Sequence, residues 1–216
     1  MSVLTHTQLH ELVENELSWD PEITSKSIGV VADDGVVTLS GYVASYAERI
    51  AAERAALRVQ GVRAVANDLQ VKLQTERIDP EIARSIGAAF RNHISIPNTI
   101  KAAVRSGHVI LEGTVPWMYQ KHAAEYAVRH VPGVRSVLNL IGVRSSVSLV
   151  EVKTKIEDAL RRSAETDASH IRVLVNNSEV RLIGEVRSFA EKQDAERVAW
   201  AAPGVTKVDN QIAIVP

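Results

Sequence analysis

The residue types that carry enzyme chemistry are sparse here. The chain has no cysteine, so thiol nucleophiles, thiolate zinc sites and disulfides are excluded. It contains no phosphate-cradling G-x-x-x-x-G-K-[ST] loop, no G-x-G-x-x-G dinucleotide turn and no G-x-S-x-G nucleophile elbow. His6, His10 and Glu14 follow one another at four-residue steps, a spacing that lines up side chains on one helix face as metal ligands require. His6 precedes the expected helix start at Thr7, however, and zinc sites take three or four well-fixed ligands, so no metal is assigned. His122 and His130 read as ordinary helix residues. No catalytic residue or cofactor is expected, and the chain reads as non-enzymatic.

The stretch that invites a binding role is Trp117-Met118-Tyr119-Gln120-Lys121-His122. By register with Tyr46 and Phe189, Met118 is the expected core plug, which turns Trp117 and Tyr119 elsewhere. Rings beside cations suit an anionic membrane surface, where aromatics enter the interface and Lys or Arg meet headgroups. Lys101, Arg105, Lys121, Arg129 and Arg135 could supply that charge. Against this stands packing of Trp117 on a neighbouring part of the chain, since aromatics are also enriched at protein interfaces. Trp19 is expected to staple the end of its helix, and Trp200 to fill a seam between units or subunits.

Charge is uneven. Residues 1–75 hold six Lys/Arg against ten Asp/Glu, net −4; residues 76–146 hold nine against five, net +4; residues 147–216 hold ten against eleven, net −1. Such asymmetry marks an anionic partner, or acidic and basic parts that attract each other. Aromatics make up 4% of the chain, and there is no GXXG clamp or strand-borne aromatic pair, so nucleic acid is not an expected partner. The first residues show no basic and apolar leader, and no apolar run is long enough to span a bilayer. The expected location is cytoplasmic, at most peripheral to a membrane.

The elements that must position these residues recur. Gly41, Gly113 and Gly184 are 72 and then 71 residues apart, and Gly61, Gly133 and Gly204 keep the same steps, as do Asn67, Asn139 and Asn210. Three landmarks on one spacing identify an internal repeat, with units at 1–75, 76–146 and 147–216. Each unit reads as helix, strand, strand, helix, strand. Leu9/Val13/Leu17, Ile82/Ile86/Phe90 and Val152/Ile156/Leu160 give first helices at i, i+4, i+8. Asp33-Asp34-Gly35 and its counterparts make the hairpin turn. Alanine-rich second helices end at Gly61, Gly133 and Gly204, expected in the left-handed C′ position. Gly41, Gly113 and Gly184, late in a strand, signal a close backbone approach, expected from the following helix. The fold class is α+β: a three-stranded mixed sheet per unit with both helices on one face.

Asp20-Pro21, Ile28-x-Val30, Asp34-Gly35-x-Val37-Thr38-Leu39-Ser40-Gly41-x-Val43 and Gly61-Val62-x-x-Val65-x-Asn67 resemble the BON domain (bacterial OsmY and nodulation), and all three units share the pattern. The resemblance implies the same αββαβ fold. It also implies a non-catalytic, stress- or transport-associated module whose usual proposed ligand is phospholipid. Three readings follow: peripheral binding to anionic phospholipid through the basic middle unit; a homo-oligomeric scaffold or protein-interaction module in osmotic or general stress; and potassium or other ion sensing, for which Asp33, Asp34 and Asp68 are the candidate oxygens and a solvated turn the simpler account.

Overall fold

The computed structural model describes residues 5–24, 26–73, 76–144, 148–162, 170–187 and 189–215, with the side chain of Leu149 left aside. The expected joins, Gln74–Asp79 and Arg144–Ser148, lie partly outside these residues.

The first repeat comprises α1 (His6–Trp19), β1 (Ile28–Asp33), β2 (Val36–Val43), α2 (Tyr46–Arg58) and β3 (Ala64–Val71). Helix α1 starts a residue before the expected Thr7. Thr5 is the N-cap, and Thr5 and Gln8 satisfy each other's backbone N–H groups in a capping box. The sheet runs β1-β2-β3, antiparallel then parallel. The hairpin turns at Asp34 (φ 41°) and Gly35 (φ 78°), positive at both positions, the twist that matches paired strands. Leu9, Val13 and Leu17 of α1 and Ala51, Ala52, Ala55 and Ala56 of α2 pack on Val37, Leu39, Val43 and Leu69. Leu39 is fully buried, worth roughly 2–3 kcal/mol of apolar transfer.

In the middle repeat α3 (Asp79–Arg91) precedes β4 (Lys101–Arg105), β5 (His108–Glu112) and β6 (Thr114–Val115), followed by α4 (Met118–Arg129), β7 (Ser136–Asn139) and β8 (Gly142–Val143). The sheet order is β4-β5-β7, with a short parallel β6–β8 pair beyond it. The third repeat comprises α5 (Leu149–Arg162), β9 (Ile171–Asn176), β10 (Glu179–Val186), α6 (Phe189–Trp200) and β11 (Lys207–Ile214), with order β11-β10-β9. By Cα proximity the chain forms two compact units, residues 1–89, 103–109 and 127–138 in one and 90–102, 110–126 and 139–216 in the other.

Two glycine expectations are corrected. At Gly41, Gly113 and Gly184 the close approach comes from the segment just ahead of the first strand, not from the following helix. A Cβ there would sit 2.0 Å from Ser27 O, 2.4 Å from Thr99 O and 1.9 Å from His170 O, at φ 110°, 136° and 152°. Gly61 and Gly133 are not C′ residues. Val59 caps α2, and the Val62 and Val134 N–H groups donate to Val59 O and Val131 O at 3.2 Å. The glycine is the third residue of a tight turn, where positive φ is required and proline suits the place before it. Pro132 and Pro203 stand there.

Candidate interface on the middle repeat

One bond set ties each second helix to its third strand. Asn139 Nδ2 donates to Lys121 O (3.2 Å) and to the Glu125 carboxylate (2.9 Å), while Asn139 Oδ1 accepts the Ile141 N–H at 3.2 Å. Asn67 does the same with Arg49 O (3.2 Å), Glu53 (2.9 Å) and the Leu69 N–H (3.3 Å). Asn210 repeats it with Lys192 O (3.1 Å), Glu196 (3.1 Å) and the Ile212 N–H (3.2 Å). Sequence reasoning found the asparagine as a landmark and missed its work. The signal was available, because Glu53, Glu125 and Glu196 keep the same steps.

This clasp fixes the first turns of α4 and hence the aromatic corner. The Trp117 and Tyr119 rings lie 6.1 Å apart, tilted by 31°. Tyr119 is 53% exposed, whereas Trp117 is half-buried. The preceding residue is anchored too, as Gly204 N–H donates to Pro116 O at 2.7 Å. Lys121 is half-buried and Lys101 exposed.

The start of α4 differs electrically from that of α2. In α2 the buried Glu48 accepts from the Thr24 N–H (2.6 Å) and Oγ1 (3.1 Å) and from the Ala44 N–H (2.8 Å). The matching residue of α4 is the neutral Gln120, which accepts from the Trp117 N–H at 3.4 Å, and the first turn of α4 holds no acid. A helix start without a carboxylate keeps its partial positive charge available to anions.

Of the other named cations, Arg105 is exposed and Arg129 half-buried. Arg135, also half-buried, lies 4.0 Å from the Glu76 carboxylate. These three belong to one compact unit, and Lys101, Trp117, Tyr119 and Lys121 to the other. The core-plug expectation fails in part: Tyr46 is buried, Met118 is half-buried, and Phe189 is 61% exposed. Trp19 is no staple, being 82% exposed, while Trp200 packs on the core of the third repeat. His10 meets Glu14 at 3.4 Å, but His6 meets Asp33 at 3.0 Å. Among the described residues no group of three or more His, Asp or Glu could hold a metal, and no helix is long and apolar enough to cross a membrane.

The family model of the BON domain matches residues 5–72, 78–145 and 148–216. The chain belongs to the BON-domain family. It is 35% identical over 124 residues to the osmotically inducible protein Y of Escherichia coli (strain K12), an alignment covering 54% of this chain and 62% of that protein. The chain thus spans less than two thirds of the length of that BON-domain relative. Two solved structures of CdsD, a structural protein of the type III secretion system of Chlamydia trachomatis, are similar at 13% and 14% identity, each with TM-score 0.29. They cover 99% and 96% of this chain and 100% and 92% of theirs.

Proposed function

We propose that this BON-domain protein associates reversibly with anionic phospholipid surfaces through the corner of its middle repeat, as a non-enzymatic, stress-associated peripheral protein. The observation that carries the reading is the exposed Tyr119 ring, backed by Trp117, at the acid-free start of α4. The ring enters the interfacial region. Lys121 and Lys101 meet headgroups, each adding about 1 kcal/mol near an anionic leaflet. The net +4 of residues 76–146 favours approach from a distance. A cytoplasmic location fits, because the cytoplasmic leaflet carries the anionic lipid. Similarity to an osmotically inducible relative supports a role in osmotic stress.

Vesicle co-sedimentation tests it. The protein should pellet with anionic vesicles and stay in solution with neutral ones. Trp117→Ala combined with Lys121→Glu should weaken binding by about 2 kcal/mol from charge alone, roughly thirtyfold. Equal pelleting on both vesicle types, or an unaffected double variant, would defeat the proposal.

A second reading, a self-associating scaffold, has its own observation. On the open face of the first repeat's sheet, Val31, Val36 and Tyr42 are 63%, 44% and 50% exposed. Light scattering across concentration decides it, since a strict monomer removes it.

A further inference from the structure

In each compact unit the corner between second strand and second helix of one repeat meets the glycine turn of the next. In one unit that corner carries Pro116, Trp117 and Tyr119, and Pro116 O accepts the N–H of Gly204. In the other unit the matching corner carries the small residues Ala44, Ser45 and Ala47, beside the turn Val131-Pro132-Gly133. Beside that small-residue corner lies a cavity of about 510 Å3. Its remaining walls pair Leu73 with Arg77, Arg129 and His130, and no described acid lines it. Arg129 and His130 stand where the other junction has Trp200 and Ala201, so this junction carries charge where the other carries an indole and a methyl group.

A neighbouring cavity of about 590 Å3 shares Leu73, Arg77 and Gly133 but includes Glu76 and Asp79. The Asp79 carboxylate is engaged by the Ser106 N–H (2.7 Å) and Gly107 N–H (2.9 Å). Acidic walls make that second space the poorer host for an anion.

We infer that the junction between the first and middle repeats is a binding site for a small anionic amphiphile, a phosphate monoester with a short apolar body. The size falls within the range of ligand pockets, and so does the pattern of apolar walls with few charged groups. Arginine suits the head, because its planar fork binds phosphate oxygens in pairs. Leu73, Val131 and Pro132 offer the body a surface away from water. The inference is independent of the Tyr119 corner, which lies in the other compact unit.

The test is an NMR titration of the full chain with hexyl phosphate, inorganic phosphate and hexanol as separate probes. Hexyl phosphate should give saturable amide shifts centred on Ala44–Ala47, Arg77 and Arg129–Val134, and hexanol none. Arg77→Glu, at an exposed position, should weaken binding by at least about tenfold, the loss of one charged contact. Ala47→Leu fills the space without touching a charge and should weaken it similarly. Should Ala47→Leu unfold the chain, Arg77→Glu decides alone. Scattered shifts, hexanol binding as well as hexyl phosphate, or undiminished affinity in Arg77→Glu would overturn the site. Equal affinity for inorganic phosphate would overturn the amphiphile and leave a free-phosphate site.

Discussion

Gly113→Ala puts the account of the repeated glycine to a quantitative test. Gly113 has φ 136°, a region nearly closed to residues with a side chain, at about 1–3 kcal/mol. The new Cβ would lie 2.4 Å from Thr99 O, while carbon and oxygen tolerate about 3.3 Å. The start of β4 would have to retreat by about an ångström, stretching the Thr99 Oγ1–Thr114 O bond of 3.0 Å, itself worth about 1 kcal/mol. The expected loss is about 3 kcal/mol, or roughly 12–24 °C in Tm for a unit of this size. Gly142 is the internal control. It donates to Gly113 O at 2.9 Å, yet a Cβ on it meets nothing closer than 3.7 Å. Gly142→Ala should stay within about 0.5 kcal/mol. Thermal and urea unfolding followed by circular dichroism measure both. Equal effects, or a Gly113→Ala loss below about 1 kcal/mol, would refute the reasoning.

Other outcomes follow from the same geometry. Asn139→Ala strands the Lys121 carbonyl and the Ile141 N–H and should destabilise by about 2 kcal/mol in urea melts. Asn139→Asp should be worse at neutral pH, because it faces the Glu125 carboxylate with a second one, and should recover in part as pH falls. Glu48→Gln replaces an acceptor of three bonds by a group with one acceptor oxygen, and should lose about 1–3 kcal/mol in the same assay. Asp20, only 11% exposed in its side chain, is held below its ordinary 3.8 by the Arg58 guanidinium (2.8 Å) and then by the Glu22 N–H. Its folded form thus binds protons less readily than the unfolded chain. The stability it contributes is complete above pH 3.8 and is lost as pH falls through the lower folded value. Arg58→Gln should flatten that acid limb of a stability–pH curve, and an unchanged slope would contradict the pairing.

The sequence exposed some of this and concealed the rest for physical reasons. Periodicity displayed the repeat and the order of its elements because Leu39, Leu111 and Leu182 each fill a core. The first helix began earlier than expected because Thr5 and Gln8 cap each other. The direction of approach at Gly41 was hidden, since the carbonyl of Ser27, earlier in the chain, leaves no mark on residue type, only on the demand for a missing Cβ. The Asn–Glu clasp was half visible: both residues recur, but their meeting depends on the angle between helix and sheet. The hollow junction was invisible, because Ala44, Ser45 and Ala47 look ordinary until the glycine turn of the next repeat is set beside them. Trp117 stood out by type, yet its half-buried state comes from a corner anchored through Pro116.

The most direct test of the lipid-docking proposal is fluorescence quenching of Trp117 by brominated acyl chains. Trp19→Phe and Trp200→Phe leave Trp117 as the sole tryptophan of the three in the chain. Anionic vesicles carrying bromine near the headgroup should quench that emission, and Lys121→Glu should shift the lipid concentration needed upward by roughly thirtyfold. Emission that is indifferent to brominated anionic vesicles, while the protein remains folded, would contradict the proposal.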